Sequence, residues 1–226
     1  MRRVLVVVEG QTERACFQQS DVAGQFVRRG FALNPRVIGK PGHKGGIRSF
    51  QAVLPEIVNL LKQERDVRVS TFFDFYALPL TKWPGYPKSA ELPPEVAVQL
   101  IEAEMSIVLA KEAPDLRPER FVPYIQLFEF EALLFADPAA MAQTFGAPKL
   151  EAVFAGIVEE CGGCEQINNG SETAPSKRIA KAFPAYKKRS VSAHAPLIMG
   201  QMARSNWGRL LCACPRFSAW LDRLES

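Results

Sequence analysis

An apolar run that ends in a carboxylate lies at the start of the chain. Residues 4–8 read VLVVV, and Glu9, Gly10 and a helix-like segment follow. A continuous apolar run before a glycine predicts a strand buried on both faces, as in a parallel sheet with helices on each side. Ligands of such sheets bind at the carboxyl ends of the strands, which is where Glu9 would lie. The run therefore predicts an α/β fold with an acid at its functional edge.

Two further strand-like runs also end in acids. Residues 67–73 are followed by Asp74, and residues 121–127 are followed by Glu129 and Glu131. Parallel strands joined by right-handed crossovers place all these acids at one edge of the sheet. Because a helix is expected to begin near Glu129, only one of the last two acids should face the others, and Glu129 is the better candidate.

Several carboxylates at one edge predict a site for a hard divalent cation. Mg²⁺ commonly takes one or two carboxylates together with waters and substrate phosphates, and Mn²⁺ accepts similar ligands. We therefore expect Glu9, Asp74 and Glu129 to be catalytic, and the same three acids with Glu131 to be metal ligands. The structural alternative is that each acid only ends its strand and accepts hydrogen bonds from backbone donors.

The order of the predicted elements is β-α-β-α-β-α-β, followed by helical segments. This order is typical of a mostly parallel, four-stranded sheet flanked by helices. We predict an α/β core over residues 1–135 and a helical extension over residues 136–226 that packs on this core. The predicted strands are 2–8, 31–38, 67–73 and 121–127, and the predicted helices of the core are 12–29, 47–65 and 95–112.

Several strings spread along the chain resemble a known family. They are VEGQTE, DFYALP with the later WPGYP, YIQLFEFEALLFAD, INNGSETAPSKRI and CPRFSAW. The strand-ending Glu followed far downstream by a strand-ending Asp resembles the Toprim domain of topoisomerases, primases and defence-associated nucleases. The strings together resemble an uncharacterised bacterial family of Toprim-like proteins, the domain-of-unknown-function family forty-two seventy-six.

The resemblance implies a Toprim-like fold and Mg²⁺- or Mn²⁺-dependent phosphodiester hydrolysis of DNA or RNA, in anti-phage defence. It also implies an ATPase partner of the AAA or ABC type, because defence-associated Toprim proteins often act with such an ATPase. The chain has no Walker motif of its own. Toprim domains usually carry Asp-x-Asp, whereas this chain reads Asp74-Phe75-Tyr76. The alternative is therefore a catalytically degenerate module that binds nucleic acid or a partner and works with an ATPase.

Two basic segments are candidates for binding phosphates. The first is a Gly-rich loop with Lys40, His43 and Lys44, where glycines would let backbone N–H groups approach an anion. The second is a helix start with Lys177 and Arg178, where free N–H groups combine with cations. For both segments a solvated surface is an equally good interpretation.

Composition and cysteine content narrow the class of protein. The net charge of +4 is only mildly basic, and no apolar run approaches the ~20 residues of a membrane helix. We expect a cytoplasmic protein that does not bind membranes. Cys161 and Cys164 form a C-x-x-C pair with Cys212 and Cys214 downstream, and four thiolates could hold a structural Zn²⁺. Ordinary reduced cysteines are the interpretation that we favour.

Overall fold

The computed structural model describes residues 1–38, 49–63, 65–168, 170–186 and 188–226. Its centre is a parallel sheet in the order β2-β1-β3-β4, in which a fifth strand also pairs with β3. The mixed α/β architecture with a parallel sheet confirms the predicted fold class. The strands are β1 (Arg2–Val8), β2 (Phe31–Val37), β3 (Arg68–Asp74), β4 (Phe121–Val122) and β5 (Ile125–Gln126).

Helices cover both faces of the sheet and form the whole C-terminal part of the described chain. They are α1 (Gln11–Gln18), α2 (Ser20–Arg28), α3 (Phe50–Gln63), α4 (Pro94–Glu112), α5 (Pro138–Thr144), α6 (Leu150–Cys161), α7 (Pro175–Ala182), α8 (Lys188–Ser205), α9 (Trp207–Ala213) and α10 (Pro215–Glu225). A 3₁₀ segment, Phe130–Ala136, connects the sheet to α5. Within the described ranges, no helix combines the length and apolar character that crossing a bilayer requires.

Two predicted elements are interrupted in the structure. The helix expected over residues 12–29 is two helices, because Gln19 leaves the helical conformation and its Oε1 accepts hydrogen bonds from the N–H groups of Asp21 and Val22. This side chain therefore caps α2. The strand expected over residues 121–127 is split into β4 and β5 at Pro123, which has no N–H group to contribute to a ladder.

Alternate residues of the first strand supply two separate cores. Val4, Val6 and Val8 pack on the face that carries α1, α2 and the C-terminal helices. Leu5 and Val7 pack on the opposite face with α3 and α4. Successive side chains of a strand point to opposite faces, so an unbroken apolar run is what a sheet covered on both sides requires.

The boundary between an α/β core and a helical extension, placed between residues 135 and 136, stays a prediction.

Candidate functional site

The carboxyl ends of three parallel strands bring the predicted acids to one edge of the sheet. Val8, the last residue of β1, is in register with Phe72 of β3. Asp74, the last residue of β3, is in register with Gln126 of β5. Glu9 therefore leaves the sheet beside the end of β3, and Glu129 follows the end of β5 by three residues.

Hydrogen bonds hold two of these acids in place. Asp74 Oδ1 accepts a hydrogen bond of 2.9 Å from the backbone N–H of Phe130, which lies between Glu129 and Glu131. The Glu129 carboxylate accepts from the N–H (2.9 Å) and the hydroxyl (3.1 Å) of Ser176, in the first turn of α7. These contacts connect the segment after β5 with the end of β3 on one side and with the start of α7 on the other.

Phe128 turns the chain between β5 and the acidic segment. Its φ of 66° lies in the left-handed region. Bulky residues rarely adopt this conformation, because their side chain clashes with the backbone there. Its carbonyl accepts a hydrogen bond of 3.1 Å from the N–H of Tyr76, just after β3. Strained backbone of this kind persists where surrounding contacts over-determine it, and it is common at functional sites.

A further acid, Glu13, joins the group although it does not follow a predicted strand. Its side chain is buried, and its Oε2 accepts a hydrogen bond of 3.1 Å from the N–H of Gly10. Glu13 is the N3 residue of α1, so this contact is the reciprocal half of a capping box. An acid in a first helical turn usually faces solvent, which is why the sequence pattern did not identify it.

Burial, with repulsion from neighbouring acids at Asp74, opposes the ionisation of two of these acids. Burial, and then the charges of the surrounding acids, hold the pKa of the Asp74 carboxyl well above its usual range. Burial likewise raises the pKa of Glu13. The acids that act on Asp74 are, in decreasing order of effect, Glu13, Glu131, Glu9 and Glu129. Both Glu129 and Glu131 therefore affect the site electrostatically, rather than only one of them. We call Glu9, Glu13, Asp74, Glu129 and Glu131 the acidic cluster.

The acidic cluster has the donor type that a hard cation needs, but its acids do not converge on one point. Among the described residues, no three His, Cys, Asp or Glu side chains are placed to hold a metal ion. The hydrogen bonds to Asp74, Glu13 and Glu129 use only part of each carboxylate, which has about four acceptor positions. A cation could therefore be bound only after carboxylates rotate toward one another.

The predicted phosphate-binding residues fall into two groups. Lys40, His43 and Lys44 lie outside the described residues. Lys177 is exposed in the first turn of α7. Arg178 has a side chain only 14% exposed and makes two bonds of 3.1 Å to the Glu160 carboxylate. It also donates to the Thr173 carbonyl, so its guanidinium joins α7 to α6.

The cysteines pair differently from the C-x-x-C pattern. A hydrogen bond with the Cys214 thiol lowers the pKa of Cys164, and both residues are buried. Cys212 is exposed and Cys161 is partly exposed. The described part of the chain contains no cluster of thiols arranged for a metal.

Comparison with known families places the chain in one of them. The profile of the domain of unknown function DUF4276 matches residues 8–225. The chain belongs to this family. No curated protein and no solved structure matches it.

Proposed function

We propose that this protein is a Mg²⁺- or Mn²⁺-dependent nuclease that hydrolyses phosphodiester bonds in DNA or RNA. The observation that carries the proposal is the acidic cluster at the carboxyl edge of the sheet. Phe130 N–H binds Asp74 directly, so the segment with Glu129 and Glu131 lies against the end of β3. Burial and then the surrounding carboxylates raise the pKa of Asp74, so a cation that neutralised these charges would favour the ionised form of Asp74.

Glu9, Asp74, Glu129 and Glu131 would hold the ion, and Glu13 would add negative charge beside them. A bound Mg²⁺ would activate water and stabilise charge on a phosphodiester. The protein's own contribution is orientation: Phe130 N–H holds one oxygen of Asp74, and Ser176 holds both oxygens of Glu129. Protons compete with the cation at Asp74 because the pKa of that group is raised.

The sequence resemblance supports a Toprim-type assignment. VEGQTE ends in Glu13 and contains Glu9, and DFYALP begins at Asp74, so three of the five acids fall within those strings. Anti-phage defence, nucleic acid as the substrate and an AAA- or ABC-type ATPase as a partner belong to the same proposal. They rest on the resemblance alone.

The test is cleavage of plasmid, single-stranded DNA and RNA with Mg²⁺ or Mn²⁺. We expect Glu9→Gln and Asp74→Asn to abolish cutting, because each removes a charge that would hold the ion. Asp115→Asn is the matched control, since this acid is exposed and lies outside the acidic cluster. Cutting by both cluster variants at the wild-type rate would exclude the assignment.

One observation favours a second candidate, a non-catalytic module that binds nucleic acid or a partner protein. In the described part of the chain the acids do not converge on an ion, and Asp74-Phe75-Tyr76 lacks the second aspartate of Asp-x-Asp. Calorimetric titration with Mn²⁺ separates the two candidates. An absence of Mn²⁺ binding, together with retained binding of nucleic acid, would favour the module.

A further inference from the structure

Tyr76 is an exposed aromatic residue whose backbone lies beside two acids of the acidic cluster. It follows Asp74 by two residues, in the 3₁₀ turn that begins where β3 ends. Its N–H donates a hydrogen bond of 3.1 Å to the carbonyl of Phe128, the residue before Glu129. Asp74 Oδ1 accepts the neighbouring bond, from the N–H of Phe130. These two bonds fix the backbone of Tyr76 at the carboxyl edge of the sheet.

The side chain of Tyr76 is open to solvent, whereas the fold buries most of its other aromatic rings. Tyr76 is 54% exposed, and among the aromatic residues that the structure describes only Tyr86 is also exposed. Phe75, one position earlier in the same turn, packs against the core on the side of α3 and α4. The turn is therefore anchored through Phe75, and the Tyr76 ring remains available to a ligand.

The chemistry of an exposed aromatic ring suits a nucleobase. Every base has a flat π-face, so an aromatic side chain can stack on it without regard to sequence. A 3₁₀ helix rises about 2 Å per residue, so Tyr76 lies close enough to Asp74 to contact a base next to a phosphate bound there. An uncharged ring also leaves the carboxylates free for a cation, whereas Lys or Arg would pair with them.

We infer that Tyr76 stacks on a nucleobase beside the phosphodiester to be cut, and that the substrate is therefore single-stranded nucleic acid. This inference rests on the proposed function, which brings the phosphate to the acidic cluster. Bases in a duplex are paired and stacked on one another, so none offers a free face to a side chain. The inference thus narrows the substrate to strands with unpaired bases, of DNA or RNA.

Fluorescence anisotropy with a labelled thymidine oligonucleotide tests the contact, with Ca²⁺ in place of Mg²⁺ to suppress cutting. We expect Tyr76→Ala to bind the single strand about tenfold more weakly, because the loss of one stacking contact is of this order. Tyr76→Phe keeps the ring and should bind like wild type. Wild type should prefer the single strand to a duplex of the same length, and Tyr76→Ala should lose most of this preference.

Tyr86→Ala is the matched control. Tyr86 is 47% exposed and belongs to the same segment between β3 and α4. The preceding residue, Gly85, lies against Leu100 and Glu104, which places Tyr86 beside the middle of α4. We expect Tyr86→Ala to bind the oligonucleotide like wild type. Because both tyrosines are exposed, neither alanine variant should change the melting temperature appreciably.

The outcomes separate this inference from the proposed nuclease function. Affinity for the single strand that is equal in wild type and Tyr76→Ala overturns the stacking contact, and so does an equal loss in Tyr86→Ala or in Tyr76→Phe. A lower melting temperature of Tyr76→Ala would assign its weaker binding to structure and overturn the contact as well. Wild type that binds duplex as tightly as single strand, or binds neither, overturns the assignment of the substrate.

The nuclease function is judged independently, by the cutting assay with Glu9→Gln and Asp74→Asn. Cutting that both of these variants retain excludes the catalytic role of the acids, while a selective loss of affinity in Tyr76→Ala would still establish the contact with a base. Loss of cutting in both variants, together with unchanged binding by Tyr76→Ala, would support the nuclease and overturn the role of Tyr76.

Discussion

Asp74 lies in a charge environment that opposes its ionisation. Burial and the surrounding carboxylates raise its pKa, and the largest charge effects come from Glu13 and Glu131. Asn mimics the protonated acid and keeps an oxygen for the Phe130 N–H. Without divalent cations at pH 7.5, we expect Asp74→Asn to increase the free energy of unfolding by about 1–3 kcal/mol, measured by urea denaturation in EDTA. Asp115→Asn should change it little.

The pH dependence of stability gives the same group a second test. The folded-state pKa of Asp74 is raised above the unfolded value, so the folded protein binds more protons. The stabilising contribution of Asp74 to the free energy of unfolding is therefore fully present at low pH. It is lost as the pH rises above about 4 toward the pKa of Asp74 in the folded protein. We expect the difference in melting temperature between Asp74→Asn and wild type to widen from pH 4 to pH 8. A constant difference over this range would contradict the raised pKa.

At the scale of residues, the sequence identified the acids that end strands and missed those placed by other elements. Glu9 and Asp74 follow apolar runs, so strand geometry alone predicts their shared edge. Glu13 was missed because its burial depends on the way α1 packs on the sheet.

At the scale of elements, an ionic group closes the exposed edge of the sheet. Glu102 of α4 accepts from the N–H of Ile125 (2.9 Å) and from Arg216 of α10 (2.8 Å). Arg216 and Arg223 in turn donate to the carbonyls of Ile125 and Pro123. Backbone groups that another strand could pair with are thus occupied by side chains, which protects the edge from association.

Glu102→Gln tests this connection between α4, β5 and α10. Glu102 is only 8% exposed, and removing its charge leaves Arg216, whose side chain is 17% exposed, beside an uncharged amide. Burial raises the pKa of Glu102 and so offsets part of its attraction to the two arginines. Because Gln leaves the Arg216 charge without its partner, we expect a loss of about 1 kcal/mol in the free energy of unfolding, with Arg223 contributing little because it is 45% exposed. Urea denaturation measures this loss. Glu112→Gln, an exposed change on the same helix, should have almost no effect; equal effects would assign the loss to helix propensity.

The close packing of α1 and α2 against α8 depends on a glycine. A Cβ on Gly200 would lie 2.6 Å from Gln19 Cδ, the side chain that caps α2. Ala normally stabilises a helix interior relative to Gly, but here its methyl group would displace the end of the Gln19 side chain and remove the cap of α2. We therefore expect Gly200→Ala to destabilise the protein by at most about 1 kcal/mol. In a Gln19→Ala background the same change should be neutral or stabilising. Additive losses in the double variant would exclude this contact as the cause.

Element predictions succeeded where the hydrophobic pattern was continuous. β1 begins and ends at the predicted residues, and β3 is displaced by one. The predicted helix over residues 12–29 failed because its apolar spacing continues through Gln19, whose capping contact is not visible as a change in pattern. The strand predicted over residues 121–127 is interrupted at Pro123. Apolar residues continue on both sides of Pro123, so the hydrophobic pattern did not indicate the interruption.

At the scale of the whole molecule, charge is separated along the strands. The acidic cluster lies at the carboxyl edge, whereas Arg2 and Arg68 lie at the amino ends of β1 and β3. These arginines donate to carbonyls in the last turn of α10, so their charges stabilise a helix C-terminus. A net charge of +4 therefore conceals a strongly negative site. Composition could not reveal this, because it averages over both edges.

This separation predicts that divalent cations stabilise the folded protein at one edge only. A ligand that binds only the folded state, at a free concentration of ten times its Kd, raises the free energy of unfolding by about 1.4 kcal/mol. For a chain of this size that corresponds to about 3–6 °C in melting temperature. We expect Mn²⁺ to raise the melting temperature of wild type by that amount at pH 7.5.

The shift should be smaller at pH 5, because protons compete for Asp74, whose pKa is raised. It should disappear in Asp74→Asn and persist in Asp115→Asn, which keeps the acidic cluster intact. Differential scanning fluorimetry at matched ionic strength measures all four conditions, since added salt alone screens exposed charges. An equal Mn²⁺ shift in wild type and Asp74→Asn would place the ion away from the carboxyl edge, and the catalytic role proposed for these acids would then have no physical basis.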